Sequence, residues 1–338
     1  MDLKEVVRRL NIVASLNLAG SWDNVGLLVE PYTKKKVNKV LLTNDLTEQV
    51  MDETVNVKAD LILSYHPPIF QALKRVTSDH WKERIVARCL EAGIAVYSPH
   101  TAYDAVKGGV NDWLVGAFGD AEVTVIQPST ELLVYTHMIM LSATTEQTKE
   151  QLQAKLICVP DAKLVMSDSG SAPYVLCCKK NLAECIRALS SCDVEFISKS
   201  ESVPITGYGM GRFAVPNSQQ TIADVVQRVK AMTGLGHVRL ALAKQHNLNS
   251  IVCKGAVCAG SGLSVLKGVD ADMIISGEMS HHDVLEFTQC SVTVLLLEHS
   301  NSERGFLSAV LQPKLKEIFE NKITVAVSEE DKDPLQIV

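Results

Sequence analysis

The amino-acid sequence predicts a mixed α/β (α+β) fold in which two similar α/β domains flank an inserted domain. Short, continuously apolar strands alternate with helices in residues 1–130 and in residues 206–338. Residues 131–205 follow a different order of elements, and the first and last segments share matching motifs. The chain has 338 residues, 46% of them hydrophobic, which is enough to fill more than one core.

The first segment begins with a helix, because apolar residues recur with a helical spacing in residues 3–16. Apolar strands are then predicted at 40–43, 61–64 and 94–97. The helices between them begin at Thr47, followed by acidic residues, and at Trp81, with Gly93 as the stop signal. Continuously apolar strands that alternate with helices indicate a sheet covered on both faces and at least partly parallel.

The middle segment has the order β-α-β-β-α-β, which resembles a ferredoxin-like unit. The strands are predicted at residues 132–141, 162–166, 174–178 and 194–198, and the helices at 145–156 and 182–189. Few histidines or acidic residues stand at these strand ends. We therefore expect residues 131–205 to form an inserted ferredoxin-like domain that serves assembly or a partner and not chemistry.

The last segment returns to the pattern of the first. Helices are predicted at 221–232 and from about Asn301, and strands at 251–257, 273–276 and 292–297. Residues 59–66 align with residues 271–278, so that His66 matches Glu278. One strand later, His100 and Asp104 are four residues apart, and His299 and Glu303 repeat that spacing. Such a weak internal repeat is typical of a duplicated α/β unit.

The composition narrows the classes of function. A net charge of −6 and a pI of about 5.9 argue against direct nucleic-acid binding, which needs a positive footprint. No apolar run approaches the ~18 residues that cross a membrane, and the N-terminus lacks the apolar core of a targeting segment. The nine cysteines follow no disulfide or zinc-finger spacing. We expect reduced thiols and an intracellular, cytoplasmic protein.

Polar residues follow the predicted strands, where open α/β sheets bind their ligands. Three of them are imidazoles, and imidazole with carboxylate holds zinc, iron, manganese or nickel. The pairs spaced by four residues could each present two donors to one ion if a helical turn follows the strand. The sequence therefore predicts one or two divalent ions held by His66, His100, Asp104, His299 and Glu303.

Each of these positions also has a structural interpretation. Residues 300–303 fit a helix capping box, with Glu303 in the third helical position. His281 and His282 fit a similar first turn, and Asp104 could be a turn residue before two glycines. Residues 260–262, Gly-Ser-Gly, predict a tight turn more strongly than an anion cradle.

Five motifs in order resemble the NIF-three-like family over residues 1–128 and 205–338. They are Trp22-Asp23-Asn24-Val25-Gly26, Tyr65-His66-Pro67-Pro68, Ser98-Pro99-His100-Thr101-Ala102-Tyr103-Asp104, Gly277-Glu278-Met279-Ser280-His281-His282 and His299-Ser300-Asn301-Ser302-Glu303. Tyr65-His66 and Ser280-His281-His282 resemble the eukaryotic branch. Bacterial members are often labelled GTP cyclohydrolase type 2-like proteins.

The resemblance implies two similar α/β domains, a di-metal site between them and a homo-oligomer, as a dimer or a ring of dimers. The implied metal ligands are His66, Asp104, His299 and Glu303, with His100 as a ligand or near neighbour. Bacterial members usually have a second histidine where this chain has Tyr65, and a neutral phenol is a poor ligand. We expect a weak or absent second metal unless Glu278, His281 or His282 replaces the missing donor.

Three functions follow from the resemblance. The first is a metal-dependent hydrolase, of cyclohydrolase or phosphoesterase type, for a nucleotide-like or phosphorylated small molecule, with Glu278 or His282 as candidate proton carriers. The second is a non-catalytic partner of a transcriptional regulator in cytoplasm and nucleus, because eukaryotic relatives are named as interactors of one. The third is metal storage or delivery.

Overall fold

The computed structural model describes residues 1–33, 36–130, 135–142, 148–157, 159, 162–166, 172–199 and 204–337. It divides into two compact units: Met1–Ser129 with Thr206–Val338 form the first, and Thr130–Ile205 form the second. The first and last segments of the chain therefore share one unit. Their division into separate domains at residues 1–130 and 206–338 stays a prediction.

The N-terminal part of the first unit alternates strands and helices. Its elements are α1 (Leu3–Val13), β1 (Gly26–Val29), β2 (Lys39–Thr43), α2 (Glu48–Asn56), β3 (Leu61–Ser64), α3 (Trp81–Ala92), β4 (Ala95–Ser98), α4 (Thr101–Ala105), α5 (Val110–Val115) and β5 (Ala121–Thr130). The predicted capping signals are used: the Thr47 hydroxyl accepts from Val50 N, and Gly93 ends α3 with a left-handed φ of 69°.

The second unit contains its own small sheet. Its elements are β6 (His137–Leu141), α6 (Lys149–Leu156), β7 (Lys163–Val165), β8 (Tyr174–Cys177), α7 (Leu182–Ala188) and β9 (Val194–Lys199). The strands pair antiparallel in the order β7-β8-β6-β9, and a core of apolar residues and cysteines, including Ile139, Leu152 and Val175, is buried. The starts of the predicted strand at 132 and helix at 145 lie outside the described residues.

The C-terminal part of the first unit continues the alternation. Its elements are β10 (Pro204–Pro216), α8 (Ile222–Thr233), β11 (Arg239–Ala241), β12 (Gly255–Cys258), α9 (Leu263–Leu266), β13 (Met273–Ser276), α10 (His281–Gln289), β14 (Thr293–Leu296), α11 (Asn301–Phe306), a π-helical turn (Leu307–Leu311), α12 (Gln312–Ile318) and β15 (Thr324–Val327). None of the helices described along the chain has the length and apolarity needed to cross a membrane.

The first unit holds two sheets. In the order β1-β4-β3-β2-β15, the strands β2, β3, β4 and β15 are parallel and β1 is antiparallel. The second sheet has the order β11-β14-β13-β12-β10-β5. Its strands β12, β13 and β14 are parallel, while β11 pairs antiparallel with β14 and β10 pairs antiparallel with β12. The prediction of partly parallel sheets is confirmed, and it places the carboxyl ends of the central strands at common edges.

Both sheets contribute to one continuous core. Alternate residues of a strand face opposite sides of its sheet, so the inward side chains, such as Leu42, Leu63 and Ile275, share a cluster with α1, α5, α8 and α12. The outward side chains of the first sheet pack on α2 and α3, and those of the second sheet form a separate cluster with residues of α9 and α10. The central strands read as continuous apolar runs because both faces are covered.

The predicted strand at 251–257 is wrong at its start. Ile251 forms only an isolated bridge with Thr221, and β12 covers Gly255–Cys258. The cause is the carboxylate of Asp272, which accepts hydrogen bonds from Cys253 N at 2.8 Å and Lys254 N at 2.9 Å and so occupies the amides that a strand would use. Cys253 therefore precedes the strand that contains Cys258.

An ion pair between a buried arginine and a partly exposed aspartate joins α5 to β10. The guanidinium of Arg212, 1% exposed, donates to both carboxylate oxygens of Asp112 at 2.8 and 2.7 Å and to the carbonyl oxygens of Gly209 and Gly211. A charge removed from water requires this degree of compensation. The pair therefore fixes the position of the long strand β10 relative to the core helices.

We expect Asp112→Asn to lower the free energy of unfolding by about 3–5 kcal/mol, because the Arg212 charge would stay buried without a carboxylate. Adding Arg212→Met to this variant should recover part of the loss. Urea unfolding followed by circular dichroism measures both. Arg239→Met is the control, since the Arg239–Glu298 pair is at the surface and should contribute about 1 kcal/mol or less. Equal losses in the two single variants would contradict the account.

Candidate metal centre

Polar side chains collect where the central strands of both sheets end. Asn44 and Asp45 follow β2, Tyr65 and His66 follow β3, and His100 follows β4. In the second sheet, Glu278 follows β13 and His299 follows β14, one turn before Glu303 on α11. These strands are parallel, so their carboxyl ends meet at one edge of each sheet.

Three of the predicted residues form a compact group of possible metal ligands. One donor atom each of His66, His299 and Glu303 lies within 4.8 Å of the other two. His66 Nε2 is 3.2 Å from Glu303 Oε2, and His299 Nε2 is 3.8 Å from Glu303 Oε1. The group joins the ends of β3 and β14, and therefore both sheets, around one buried carboxylate.

Each imidazole is oriented by a second carboxylate. His66 Nδ1 donates to Asp45 Oδ1 at 2.9 Å, and His299 Nδ1 donates to Glu278 Oε1 at 2.8 Å. A carboxylate accepts only from a protonated nitrogen, so each Nδ1 carries a proton and each Nε2 faces Glu303, where a metal ion would take the place of its proton. A carboxylate on the far nitrogen is typical of metal-binding histidines, because it fixes the tautomer and raises the basicity of the ligand.

The Glu303 carboxylate is almost fully buried and is held from several sides. Asn44 Nδ2 donates to its Oε2 at 3.0 Å, and α11 positions its backbone beside the strand ends. Burial alone would raise the pKa of Glu303, but the charges of His66 and His299 and the hydrogen bonds lower it below the usual value. The side chain is therefore an anion at neutral pH.

The group fits a divalent cation. His66 Nε2 is buried and has no hydrogen-bond partner among the described residues, although Glu303 is near. Burial alone would lower the pKa of His66, but Glu303 and Asp45 raise it to about 10, so these carboxylates require a positive charge here. Gly260 leaves the space: a Cβ there would lie 2.8 Å from Glu303 Oε1 and 3.3 Å from His299 Nε2.

Asp104 lies outside this group of three. Its Oδ1 accepts a short hydrogen bond from the phenol of Tyr65, and both side chains are buried. Burial and the nearby charge of Glu303 raise the pKa of Asp104 to about 7, against the lowering effect of the Tyr65 hydrogen bond. Burial and the nearby charges of Asp104 and Glu303 raise the pKa of Tyr65, so its phenol stays protonated.

His100 is likewise outside the group, although its ring centroid is 5.4 Å from that of His66. Its Nδ1 donates to Asp23 Oδ1 at 2.7 Å, and Asp23 also accepts from the amide and hydroxyl of Thr101. The backbone of His100 has φ 37° and ψ −121°, a conformation that L side chains rarely adopt. Strain of this kind persists where the surroundings hold a side chain in place, often at functional sites.

The other candidates have clear positions. Glu278 accepts from both His299 Nδ1 and the Ser261 hydroxyl, so it positions the imidazole. His281 and His282 lie in the first turn of α10 after the Ser280 cap, where both are exposed and their rings contact each other.

The predicted turn at residues 260–262 is confirmed: Gly260 has φ 61°, and the amides of Gly260 and Gly262 donate to the hydroxyl oxygens of Ser302 and Ser276.

The roles of two carboxylates that orient histidines were not predicted from the sequence. Asp45 and Asp23 orient His66 and His100, but nothing in the local sequence links either pair, which are 21 and 77 residues apart. The signal that could have found Asp45 is its position directly after β2, next to the strand that ends at His66. Asp23 lies in one of the five family-like motifs, but its partner is brought to it only by tertiary packing.

Comparison with known proteins then identifies the chain. The model of the family described as Duf34/NIF3 (NGG1p interacting factor 3) matches residues 1–334. This chain belongs to the NIF3 family. The NIF3-like protein 1 of Bos taurus is 44% identical over 100% of this chain and 93% of its own length, and that of Homo sapiens is 42% identical with the same coverage. The resemblance stated from the motifs is confirmed.

More distant NIF3 relatives also match almost the whole chain. The NGG1-interacting factor 3 of Saccharomyces cerevisiae is 32% identical over 94% of this chain and 90% of its own length. Among solved structures, the Bacillus cereus protein related to NIF3 matches 100% of this chain and 99% of its own, with 22% identity and a TM-score of 0.70. Staphylococcus aureus SA1388 matches equally widely, with 20% identity and a TM-score of 0.72. These structures establish the fold.

The strain at His100 leads to a prediction about stability. We expect His100→Gly to be more stable than His100→Ala by about 1 kcal/mol, because glycine adopts this backbone conformation freely while alanine keeps the strain. Both variants lose the ring and its bond to Asp23, so their difference reports the backbone strain less the greater unfolded-state entropy of glycine. Thermal and urea unfolding measure it. An alanine variant more stable than the glycine variant would contradict the strain at His100.

Proposed function

We propose that this NIF3-family protein binds one divalent metal ion through His66, His299 and Glu303 and acts as a metal-dependent hydrolase. The observation that carries the proposal is the convergence of two oriented Nε2 atoms on one buried carboxylate. Imidazole with carboxylate suits zinc, iron, manganese or nickel. A bound ion of this kind would supply Lewis-acid activation of water and of a phosphoryl or carbonyl group.

Other residues of the chain would orient the three ligands of that ion. Asp45 and Glu278 hold the imidazoles in the tautomer that presents Nε2, and Asn44 holds the Glu303 carboxylate. The cavity beside them is about 510 Å³, which suits a small molecule of nucleotide size. The proposed substrate is a nucleotide-like or phosphorylated small molecule. Glu278 is a positioning residue for His299 in this proposal, not a proton carrier.

The proposal specifies one ion and not two. The second ion of the family pattern would need a donor at position 65 together with Asp104 and Glu303. Here the Tyr65 phenol donates to Asp104, and the pKa of Asp104, raised to about 7, leaves this carboxyl about half protonated near neutral pH. The hydrogen-bonded pair therefore carries less negative charge than an ionised carboxylate and offers a second cation less attraction.

We expect purified wild-type protein to contain about one divalent ion per chain and Glu303→Gln to contain almost none, because the amide keeps the shape but loses the charge. Elemental mass spectrometry on protein prepared without chelator or affinity metal measures both. Glu298→Gln is the matched control: Glu298 also lines the cavity but pairs with Arg239, so this variant should keep its ion.

Activity is then measured on a panel of phosphoesters, nucleotides and cyclic amides. Turnover by the wild type and the Glu298→Gln variant, but not by Glu303→Gln, is the expected result. A metal-loaded wild type that hydrolyses no member of the panel would overturn the hydrolase part of the proposal, and a metal-free wild type would overturn the whole.

The replacement Tyr65→His provides a second prediction. We expect it to raise the metal content from about one ion to about two per chain, because an imidazole beside Asp104 and Glu303 restores the donor set of the bacterial pattern. Tyr65→Phe is the control, since it removes the hydrogen bond to Asp104 without adding a donor, and its content should stay near one. An unchanged content in the folded histidine variant would contradict the role given to Tyr65.

A protein partner is the alternative function, and the name of the yeast relative, NGG1-interacting factor 3, supports it. In this alternative the chain is a non-catalytic factor in transcriptional regulation, in cytoplasm and nucleus. Metal-free Asp104→Ala/Glu303→Ala protein that keeps partner binding and transcriptional output would favour it. Metal storage or delivery is a further alternative, and the rate of metal exchange would identify it.

Two finer features of the fold are also proposals. Duplication of an α/β unit is supported by the similar orders β1-β4-β3-β2 and β11-β14-β13-β12. A ferredoxin-like character of residues 131–205 is supported by the order β7-β8-β6-β9 and its antiparallel pairs. The homo-oligomer, a dimer or a ring of dimers, rests on the family resemblance alone.

A further inference from the structure

Two large aromatic side chains stand exposed beside the metal centre. Trp22 is 65% exposed and Phe70 is 43% exposed, although both are apolar enough to favour burial. They contact each other edge to face with centroids 6.1 Å apart, and each lies 6.2 Å from the ring of His100. Single exposed apolar residues are ordinary, but a cluster of contacting rings at a cavity indicates binding.

These rings are fixed in position. The indole of Trp22 lies so close to Gly20 that a Cβ there would be 2.9 Å from its ring atoms, and Gly20 N donates to Thr101 Oγ1. The following residue, Asp23, holds His100 and Thr101, and the Asn24 side chain donates to the carbonyl oxygen of Ile69, next to Phe70. The loop of Trp22 and the loop of Phe70 are therefore tied to the site, while the ring surfaces face solvent.

Among the described residues of the cavity wall, the Lys82 ammonium is the one Lys or Arg side chain, and it has no carboxylate partner. Phe70, His100 and Lys82 line the same cavity of about 510 Å³ as His66 and His299. Its carboxylates already have partners: Asp45 and Glu278 hold imidazoles, Glu298 pairs with Arg239, and Asp333 accepts from Ser300 and Leu335. The Lys82 ammonium lies 5.4 Å from the Trp81 ring and, among the described residues, has no carboxylate within 4.0 Å.

We propose that Trp22 and Phe70 bind the planar heteroaromatic ring of a small anion, and that Lys82 pairs with its anionic group. A nucleoside monophosphate has this chemistry. Rings of every base stack on aromatic side chains, and an ammonium on a flexible stem serves phosphate as a point charge. A small molecule is favoured over a protein surface because Phe70 lines the cavity, Trp22 contacts Phe70, and the Lys82 ammonium lies in the same cavity wall.

This inference rests on the proposed function in one respect, since the ring-bearing anion would be the substrate class of the metal centre. The two are nevertheless separable, because ring stacking needs no ion. Binding is therefore measured on the full chain in two forms: the wild type as purified and the Glu303→Gln variant. Ring binding that persists in the metal-free variant tests this subsite alone.

The experiment uses intrinsic tryptophan fluorescence and saturation-transfer NMR with adenosine and guanosine monophosphates. Ribose 5-phosphate has the anion without the ring, and the nucleosides have the ring without the anion. We expect the monophosphates to bind, ribose 5-phosphate to bind on the order of 10-fold more weakly because it lacks stacking, and the nucleosides to bind several-fold more weakly.

Variants assign the binding roles. Trp22→Leu and Phe70→Leu should each weaken monophosphate binding by about 10-fold while leaving ribose 5-phosphate unchanged. Lys82→Gln should weaken monophosphates but not nucleosides. Tyr32→Leu is the matched control, because Tyr32 is a fully exposed aromatic for which no ring contact with Phe70 or His100 is found among the described residues.

Three results would overturn the proposal. One is the absence of monophosphate binding to the folded wild type at millimolar concentration. Another is binding that the Trp22 and Phe70 variants leave unchanged. The third is association with another protein that Trp22→Leu abolishes, in a chain that binds no nucleotide, since the rings would then form a protein interface.

Discussion

The buried carboxylate of Glu303 is the constraint on which the centre depends. Burying an unpaired charge costs several kcal/mol, so the fold must surround it with donors and positive charge. The donors come from both sheets: Asn44 and His66 follow strands of the first, and His299 follows a strand of the second. Gly260, without a side chain, leaves the room for them. The shared core and the contacts of the Glu303 carboxylate therefore both hold the two sheets together in the same arrangement.

The balance of charge explains why the pocket has two chemically different sides. On the side of His66 and His299, oriented imidazoles face the Glu303 anion, and these three side chains form the group that could hold a cation. On the side of Tyr65 and Asp104, a phenol and a carboxyl share a hydrogen bond, and the pKa of Asp104, raised to about 7, reduces the negative charge of that side at neutral pH. In the proposed function, Tyr65 is the residue that limits the site to one ion. The exposed rings of Trp22 and Phe70 both contact the ring of His100.

The sequence predicts the central strands well because they are continuous apolar runs, and it predicts His66, His299 and Glu303 because ligands lie at the ends of such strands. Elements that depend on distant partners are harder to predict. β15 contributes to the first sheet although it comes last in the chain, and β12 starts late because Asp272 binds the preceding amides. His100 was predicted as a ligand from its strand end and its spacing to Asp104, and that prediction stays open; the contact with Asp23, 77 residues earlier, which orients its ring, was not predicted. Local patterns contain no information about such contacts.

One-ion binding at Glu303 is tested most directly by an anomalous-difference map from crystals of the protein reconstituted with zinc. We expect one peak, coordinated by His66 Nε2, His299 Nε2 and a carboxylate oxygen of Glu303 at about 2.0–2.2 Å. We expect no peak between Tyr65 and Asp104, whose hydrogen bond should persist. A second peak coordinated by Asp104, or zinc bound elsewhere with His66 and His299 free, would refute one-ion binding at this group.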